Sequence, residues 1–354
     1  MAATNPKNDS GFRQQFMFDI QMEATARALV ARGKGILAAD ESTGTIEKRF
    51  KSVGAACTEE NRRAYRELLF TTAGLGKFIS GVILFDETIR QKSADGTPLV
   101  EVLHRQGIIP GIKVDKGAKA LAGFSGDKIT EGLDGLRERL AEYRELGARF
   151  TKWRAVITIG AAIPTDACLR ANGHALARFA ALSQEAGLVP IVEPEVLMDG
   201  DHDIGRHAEA TQRALRLVFD ALAEHRVRIE AMLLKPNMVL SGKDCPQQAS
   251  VAEAAEATLR CMRRTVPAAV PGLVFLSGGQ SDVRATEHLN AMNAGDAAPW
   301  ELSFSFGRAL QAPALKAWAG LPANVAVAQQ KLLHRARCNG AARFGTYFSA
   351  MEEV

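Results

Sequence analysis

Short β-rich apolar runs punctuate the chain, each bounded by Gly, Pro or polar residues and followed by a segment with helical periodicity. Eight can be read: GILAAD from Gly35, GVILFDET from Gly81, GIIPGIKVD from Gly107, RFTKWRAVI from Arg149, GLVPIVEPEV from Gly187, EAMLLKPNM from Glu230, GLVFLSGG from Gly272 and LSFSFG from Leu302. Their starts are separated by as few as 26 residues (Gly81 to Gly107) and as many as 46 (Gly35 to Gly81). Segments rich in Ala, Leu, Glu and Arg lie between them and predict helices over Glu59 to Thr71, Leu133 to Leu146, Asp203 to His225 and Val251 to Arg264. Strands that alternate with helices in this way pair in parallel, because a parallel neighbour is reached only through a crossover connection. Near-continuous apolar strands imply burial on both faces, and eight is the number that closes a (β/α)8 barrel.

An open, doubly wound sheet is the alternative. No GxGxxG turn follows the first run, however, and no Pro/Ser-rich linker or change of composition divides the 354 residues. The chain is therefore expected to form an α/β fold with one (β/α)8 barrel over residues 23–337. An N-terminal arm over 1–22, packed on the surface through Phe12, Phe16, Met17 and Phe18, and a short C-terminal tail over 338–354 complete it.

Composition narrows the function classes. Acids and bases are interspersed, with a net charge of +4 and no Lys/Arg block of the kind that marks a nucleic-acid or membrane surface. No apolar run approaches the roughly 20 residues that span a bilayer, and the N-terminus lacks the apolar core of a signal peptide. Five scattered cysteines without a CxxC pair fit reduced thiols and a cytoplasmic location rather than a disulfide frame. The run Asp199-Gly200-Asp201-His202-Asp203 lacks calcium-loop spacing, and Asp201 or Asp203 can simply cap the next helix. The seven histidines are dispersed, which argues against a catalytic zinc, although distant ligands can meet in a fold. No metal or cofactor is expected.

Chemistry in such a barrel sits at the C-terminal ends of the strands. The runs place charges there repeatedly: Asp40 after the first, Lys113 and Asp115 after the third, Lys152 and Arg154 on the fourth, Glu193 and Glu195 on the fifth, Lys235 on the sixth. Ser277 and Arg308 close the last two. Side chains two apart on a strand share a face, so Lys152 travels with Arg154 and Glu193 with Glu195. Structural ion pairs could explain any one of these residues, but the set makes a polar centre larger than core packing requires.

Lys235 stands in Met232-Leu233-Leu234-Lys235-Pro236 with no acid beside it in sequence. A nucleophilic lysine needs a neutral amine, which burial and the nearby cations Lys113 and Lys152 would favour; the bland alternative is a lysine that snorkels to solvent. A neutral amine facing a ketose phosphate forms a carbinolamine and then an iminium, which withdraws electrons and permits carbon–carbon cleavage. Each step moves protons, for which Glu193 is best placed, with Glu195 or Asp40 next. Ser277-Gly278-Gly279-Gln280-Ser281 follows an apolar strand where barrels commonly bind phosphate, and Arg308 adds a bidentate charge; a plain tight turn is the alternative. Lys48 and Arg49, past the first strand, could meet a second phosphate or be solvated surface.

Taken together, GKGILAADEST, ENRRAYRELL, GIKVDKG, KWR, VPIVEPE, LLKPNM, FLSGGQS and SFGRALQ closely resemble class I fructose-bisphosphate aldolase, from about Ala28 to about Tyr347. The resemblance implies a TIM barrel, usually a homotetramer, that reversibly splits fructose 1,6-bisphosphate into dihydroxyacetone phosphate and glyceraldehyde 3-phosphate without a metal. It makes Lys235 the Schiff-base lysine and Glu193 the main proton carrier, with Asp40, Lys113, Lys152, Arg154 and Glu195 as supporting charges. Ser277, Gly278, Gly279, Ser305, Gly307 and Arg308 match the site for one phosphate; Arg49, Ser42 and Thr45 match residues near the other. Three departures bear on rate and on preference between bisphosphate and monophosphate. Tyr347 matches the tyrosine that begins the flexible tail of vertebrate members rather than the one that ends it, Phe306 replaces a tyrosine, and Thr45 a serine. Two competing readings are a different imine-forming barrel enzyme, such as a transaldolase or deoxyribose-phosphate aldolase, and a non-catalytic barrel scaffold.

Overall fold

A computed structural model of the chain describes the backbone of residues 6–353 and the side chains of residues 18–353. Eight parallel strands form a closed barrel: β1 (Gly35–Ala38), β2 (Ile79–Leu84), β3 (Ile109–Lys113), β4 (Phe150–Ile157), β5 (Val189–Val196), β6 (Leu233–Leu234), β7 (Gly272–Phe275) and β8 (Glu301–Phe306). Each pairs with its neighbours in chain order, and β8 closes on β1 through Ile36–Ser305 and Leu37–Phe306. Every expected run supplies one strand, and the four predicted helices appear at Glu59–Phe70, Leu136–Glu145, Ile204–Glu224 and Val251–Thr265. Their starts are chemically defined: Thr58, Asp203 and Ser250 cap the first, third and fourth by accepting a backbone N–H with the side chain.

Side-chain alternation sorts the barrel into an outer shell and a filled centre. On β4, Thr151 Oγ1 donates to Ser183 Oγ at 2.9 Å and Trp153 stacks on Phe179, both partners belonging to the helix Asp166–Glu185. Those outward contacts fix the strand's phase, because a one-residue slip would bury the wrong face. Phe150, Lys152 and Arg154 must then point inward. On β5, Val192 joins the outer core while Val189 and Ile191 join the central one, which turns Glu193 and Glu195 inward as well. On β6, Leu233 faces the centre, Leu234 the outer shell, and Lys235 the centre again, its N–H donating to the Val192 carbonyl at 2.8 Å.

The centre is thus apolar at the bottom and charged at the top. Ile36, Ile83, Phe150, Val189, Ile191, Leu233 and Val274 make the apolar part, and Met22, Ala26, Leu29 and Val30 join them from below. The expected boundary at residues 22 and 23 falls inside a single helix, Pro6–Leu29, whose residues from Met22 onward plug the bottom of the barrel. Residues 1–5, with the side chains of Phe12, Phe16 and Met17, lie outside the described residues; Phe18 packs beneath the guanidinium of Arg144, 4.1 Å from its ring centre. The tail boundary at 337 and 338 likewise falls inside a helix, Val325–Ala342. The sequence also gave no sign of the antiparallel ribbon formed by Ala118–Ala120 and Lys128–Thr130.

Inward-facing glycines make room for the plug. A Cβ on Gly111 would lie 2.3 Å from the Phe150 ring, and one on Gly81 would lie 2.6 Å from Leu29. Gly111→Ala should therefore lower stability by at least about 2 kcal/mol through overpacking, and a Phe150→Leu second change should restore part of the loss. Urea midpoints of the three proteins check this; an unchanged midpoint for Gly111→Ala would contradict the packing described.

Candidate active site

Above the apolar floor, the strand ends open into a cleft of about 1240 Å³. All sixteen residues expected at the site line it: Asp40, Ser42, Thr45, Arg49, Lys113, Lys152, Arg154, Glu193, Glu195, Lys235, Ser277, Gly278, Gly279, Ser305, Gly307 and Arg308. They come from the ends of seven of the eight strands, all but β2, and closure of the barrel brings them to one mouth.

The deepest part is a chain of shared ions. Lys235 Nζ lies 3.2 Å from Glu193 Oε1, Lys152 Nζ lies 3.0 Å from Glu193 Oε2, and Lys152 also reaches Asp40 Oδ2 at 2.7 Å. Lys152, Glu193 and Lys235 are all buried, at 4 %, 3 % and 4 % exposure, so these charges are held by each other rather than by water. Burial alone would push the Glu193 and Asp40 carboxyls upward. The opposing pull of Lys152, with Lys235 behind it, is stronger and holds both below the ordinary carboxylate range. Burial likewise disfavours the Lys152 ammonium, but Asp40 and Glu193 overcome it and keep that lysine protonated.

Around this core, the charges on β3, β4 and β5 are paired as well. Lys113 pairs with Asp115 at 2.7 Å, and Arg154 pairs with Glu195. Lys113 and Lys152 face each other across the β3–β4 register, yet each is neutralised, which replaces the bare like-charge repulsion expected from sequence by a compensated network. Glu41 was missed. It is buried between Arg49 and Arg66, the latter at 2.6 Å, and also accepts from Gln311 Nε2 at 2.8 Å. Its position directly after a strand-end aspartate was the signal that could have found it. Arg49 is thereby anchored instead of free.

Two groups of small, polar and cationic residues flank the ions. After β7, Gly278 and Gly279 adopt φ of 58° and 99°, which side-chain-bearing residues rarely take, and a Cβ on Gly279 would stand 3.2 Å from the Arg308 guanidinium. Ser305 Oγ, 1 % exposed, has no hydrogen-bond partner among the described residues. Gly307 precedes the helix Arg308–Trp318, and it lines the cleft together with Arg308 and Ser305. On the other side, Ser42 precedes the helix Thr43–Lys51, with its Oγ 3.1 Å from Thr45 Oγ1 and with Lys48 and Arg49 one turn on. Neither Arg308 nor Lys48 makes an ion pair among the described residues, which leaves their charge for an anion.

The barrel has a buried lysine touching a buried carboxylate at its mouth, and comparison with known proteins gives its family. The family model "Glycolytic: Fructose-bisphosphate aldolase class-I" matches residues 21–354. The chain belongs to the class I fructose-bisphosphate aldolase family. A probable fructose-bisphosphate aldolase class 1 of Xanthomonas campestris pv. campestris is 60% identical over 328 residues, covering 92% of this chain and 98% of that protein. Fructose-bisphosphate aldolase 1 of Toxoplasma gondii is 56% identical over 329 residues, covering 92% and 91%. Among solved structures, the Plasmodium falciparum aldolase in complex with TRAP and a small-molecule inhibitor superposes with a TM-score of 0.93 at 51% identity, covering 94% of this chain and 96% of that one.

Two aspartates of the run 199–203 have local partners. Asp203 caps the helix Ile204–Glu224 by accepting the Arg206 N–H at 2.7 Å, and Asp199 pairs with Lys243 at 2.6 Å.

The direction of each shift fixes the pH response of the aldolase's ion cluster. Asp40 and Glu193 are depressed, so their stabilisation is complete above their ordinary values of 3.8 and 4.5 and is lost only as pH falls through the lower folded ones. Lys152 is raised, so its share is complete below 10.5 and lost as pH rises through its higher folded value. The stability gap between the parent chain and Asp40→Asn should therefore stay constant from about pH 6 to about pH 9 and shrink only below about pH 4. Urea unfolding across that range checks it; a gap that fades between about pH 7 and 5 would contradict the pairing.

Proposed function

We propose that the cleft carries out the family's reaction with Lys235 as the covalent nucleophile and Glu193 as the proton carrier. The reaction is reversible cleavage of fructose 1,6-bisphosphate to dihydroxyacetone phosphate and glyceraldehyde 3-phosphate through a lysine Schiff base, without a metal. One observation carries the assignment: the 3.2 Å contact of Lys235 Nζ with Glu193 Oε1, inside a cleft with anion sites on both sides.

Passing a proton from Lys235 to Glu193 along that contact leaves a neutral amine beside a neutral acid. The amine adds to the ketose carbonyl to give a carbinolamine, and the acid returns its proton to the departing hydroxyl as water is lost. Glu193, ionised again, stands next to the iminium that results. Lys152 holds Glu193 and Asp40 together, so a proton taken from the substrate hydroxyl at the breaking bond has two adjacent carboxylates to receive it. Electrons from that bond flow to the iminium, forming an enamine on Lys235 and releasing the aldehyde; protonation and hydrolysis then free the ketone.

Ser277, Gly278, Gly279, Ser305, Gly307 and Arg308 are assigned to one phosphate, and Ser42, Thr45 and Arg49 to the other. Lys113, Arg154 and Glu195 are assigned to the sugar hydroxyls between them. Residues 23–337 are assigned as the catalytic unit, with 1–22 as arm and 338–354 as tail; the helices Pro6–Leu29 and Val325–Ala342 run across both boundaries. A homotetramer is inferred from the family alone. A cytoplasmic location rests on the family and on an Arabidopsis thaliana relative named as cytosolic, 56% identical over 324 residues; no helix among the described residues is long and apolar enough to cross a membrane.

Turnover of fructose 1,6-bisphosphate should persist with a metal chelator present, and Glu193→Gln should lower kcat by about 100-fold or more while KM changes little. Steady-state assays of both proteins measure this. Equal losses in kcat and in affinity would assign Glu193 to binding, and a parent chain without turnover would favour the scaffold.

A further inference from the structure

Outside the cleft, three metal-ligating side chains converge where the end of the described chain folds back on the helix Val325–Ala342. His334 and Cys338 are four residues apart on that helix and share one face, and Glu352 arrives from the short 3-10 turn Ser349–Glu352. Their donor atoms all lie within 4.8 Å of one another, with His334 Nε2 3.6 Å from Cys338 Sγ and 3.7 Å from Glu352 Oε2. None of the three lines the cleft.

The same imidazole nitrogen faces both the sulfur and the carboxylate. A cysteine–histidine–acid relay needs the two ring nitrogens to point at different partners, so the trio is not built as a nucleophile. Nor is the thiol activated: burial and the neighbouring Glu352 push Cys338 up to about 11, opposite to what a reactive thiolate requires. Donors that converge on one point instead suit a shared centre. A tetrahedral zinc ion with its usual bond lengths sets sulfur and nitrogen ligands about 3.6 Å apart and nitrogen and oxygen ligands about 3.4 Å apart. The observed separations match the first closely and the second within a few tenths of an ångström.

We propose that His334, Cys338 and Glu352 form a binding site for a divalent cation of borderline to soft character, zinc being the type, distinct from the metal-free catalytic centre. Thiolate plus imidazole selects against magnesium and calcium, which take oxygen ligands. The carboxylate is already oriented from behind: Tyr347 Oη donates to Glu352 Oε1 at 2.8 Å, and Arg335 holds both carboxylate oxygens. Such outer partners are what fix a ligating carboxylate. Arg335 does compete with the cation for Glu352. It also donates to the Asp282 carbonyl at 3.1 Å and to Thr286 Oγ1, so it keeps acceptors when Oε2 turns to the metal. Cys338 is buried, whereas the His334 and Glu352 side chains keep 16% and 23% exposure, which gives an ion a route from solvent to the sulfur.

Occupancy would staple the segment through Glu352 to the helix, beside Asp282 and close behind the Ser277–Ser281 turn. The cation would thus govern the hold on the chain's last described residues without entering the reaction.

The test uses the full chain, reduced, stripped with chelator and titrated with Co²⁺, with Zn²⁺ affinity measured by competition against a chromophoric chelator. One ion per chain is expected, with a thiolate-to-cobalt charge-transfer band and visible bands of tetrahedral intensity. Cys338→Ser should lose the charge-transfer band, and His334→Ala should weaken Zn²⁺ binding at least tenfold, with fructose 1,6-bisphosphate turnover confirming that both variants are folded. Zn²⁺ should also slow proteolysis at the C-terminus in the parent chain and not in Cys338→Ser. Absence of the sulfur band, or equal affinity in the parent chain and Cys338→Ser, would overturn the site; neither outcome bears on the aldolase chemistry of Lys235.

Discussion

One carboxylate shared by two lysines organises this molecule. Glu193 sits between Lys152 and Lys235, and Lys152 passes the interaction on to Asp40. Removing a partner from such a buried set leaves an uncompensated charge, a change that commonly costs about 3–5 kcal/mol. The barrel must therefore hold three strand ends and one loop in a single geometry. It does so from below: Phe150, Val189, Ile191 and Leu233 fill the centre beneath the ions, and Leu29 and Val30 close the bottom where Gly81, Gly111 and Gly272 make room. The apolar floor excludes water from one side of the cluster, and that exclusion gives each charge its strength.

The same architecture separates chemistry from recognition. Compensated ions at the centre leave little net charge to attract an anion, whereas Arg308 and Lys48 at the rim make no ion pair among the described residues. Uncompensated positive charge among the described residues of the cleft thus lies apart from the ion cluster, on either side of it. Glu41 links the two levels, since it follows Asp40 in the chain and braces Arg49 against Arg66 and Gln311. A rigid guanidinium at that rim gives up less conformational freedom when a phosphate arrives.

Most of this was legible in the sequence because period-two alternation carries side-chain direction. Thr151 and Trp153 facing helices dictate Lys152 and Arg154 facing in, and the β5 pair follows by the same rule. Partner choice was not legible. Lys113 and Lys152 are neighbours across a strand pair, yet the carboxylates that neutralise them come from the loop after β3, the loop after β1 and strand β5. The extent of the N-terminal helix was partly readable, since Met22, Ala26 and Leu29 recur at helical spacing; the polar residues before them suggested a boundary that the backbone ignores. The ribbon Ala118–Thr130 has short, mostly polar strands and so lacks the apolar alternation that would announce it. Convergence of Glu352 on His334 and Cys338 depends on where a turn sends the chain, which no local pattern encodes.

Everything rests on Lys235 being the nitrogen that condenses with the substrate carbonyl. Borohydride reduction in the presence of dihydroxyacetone phosphate, followed by proteolysis and mass spectrometry, locates that bond directly. The adduct is expected on the peptide containing Lys235, at one per chain, and should be absent from Lys235→Met. An adduct on Lys113 or Lys152, or none on any peptide, would contradict the account.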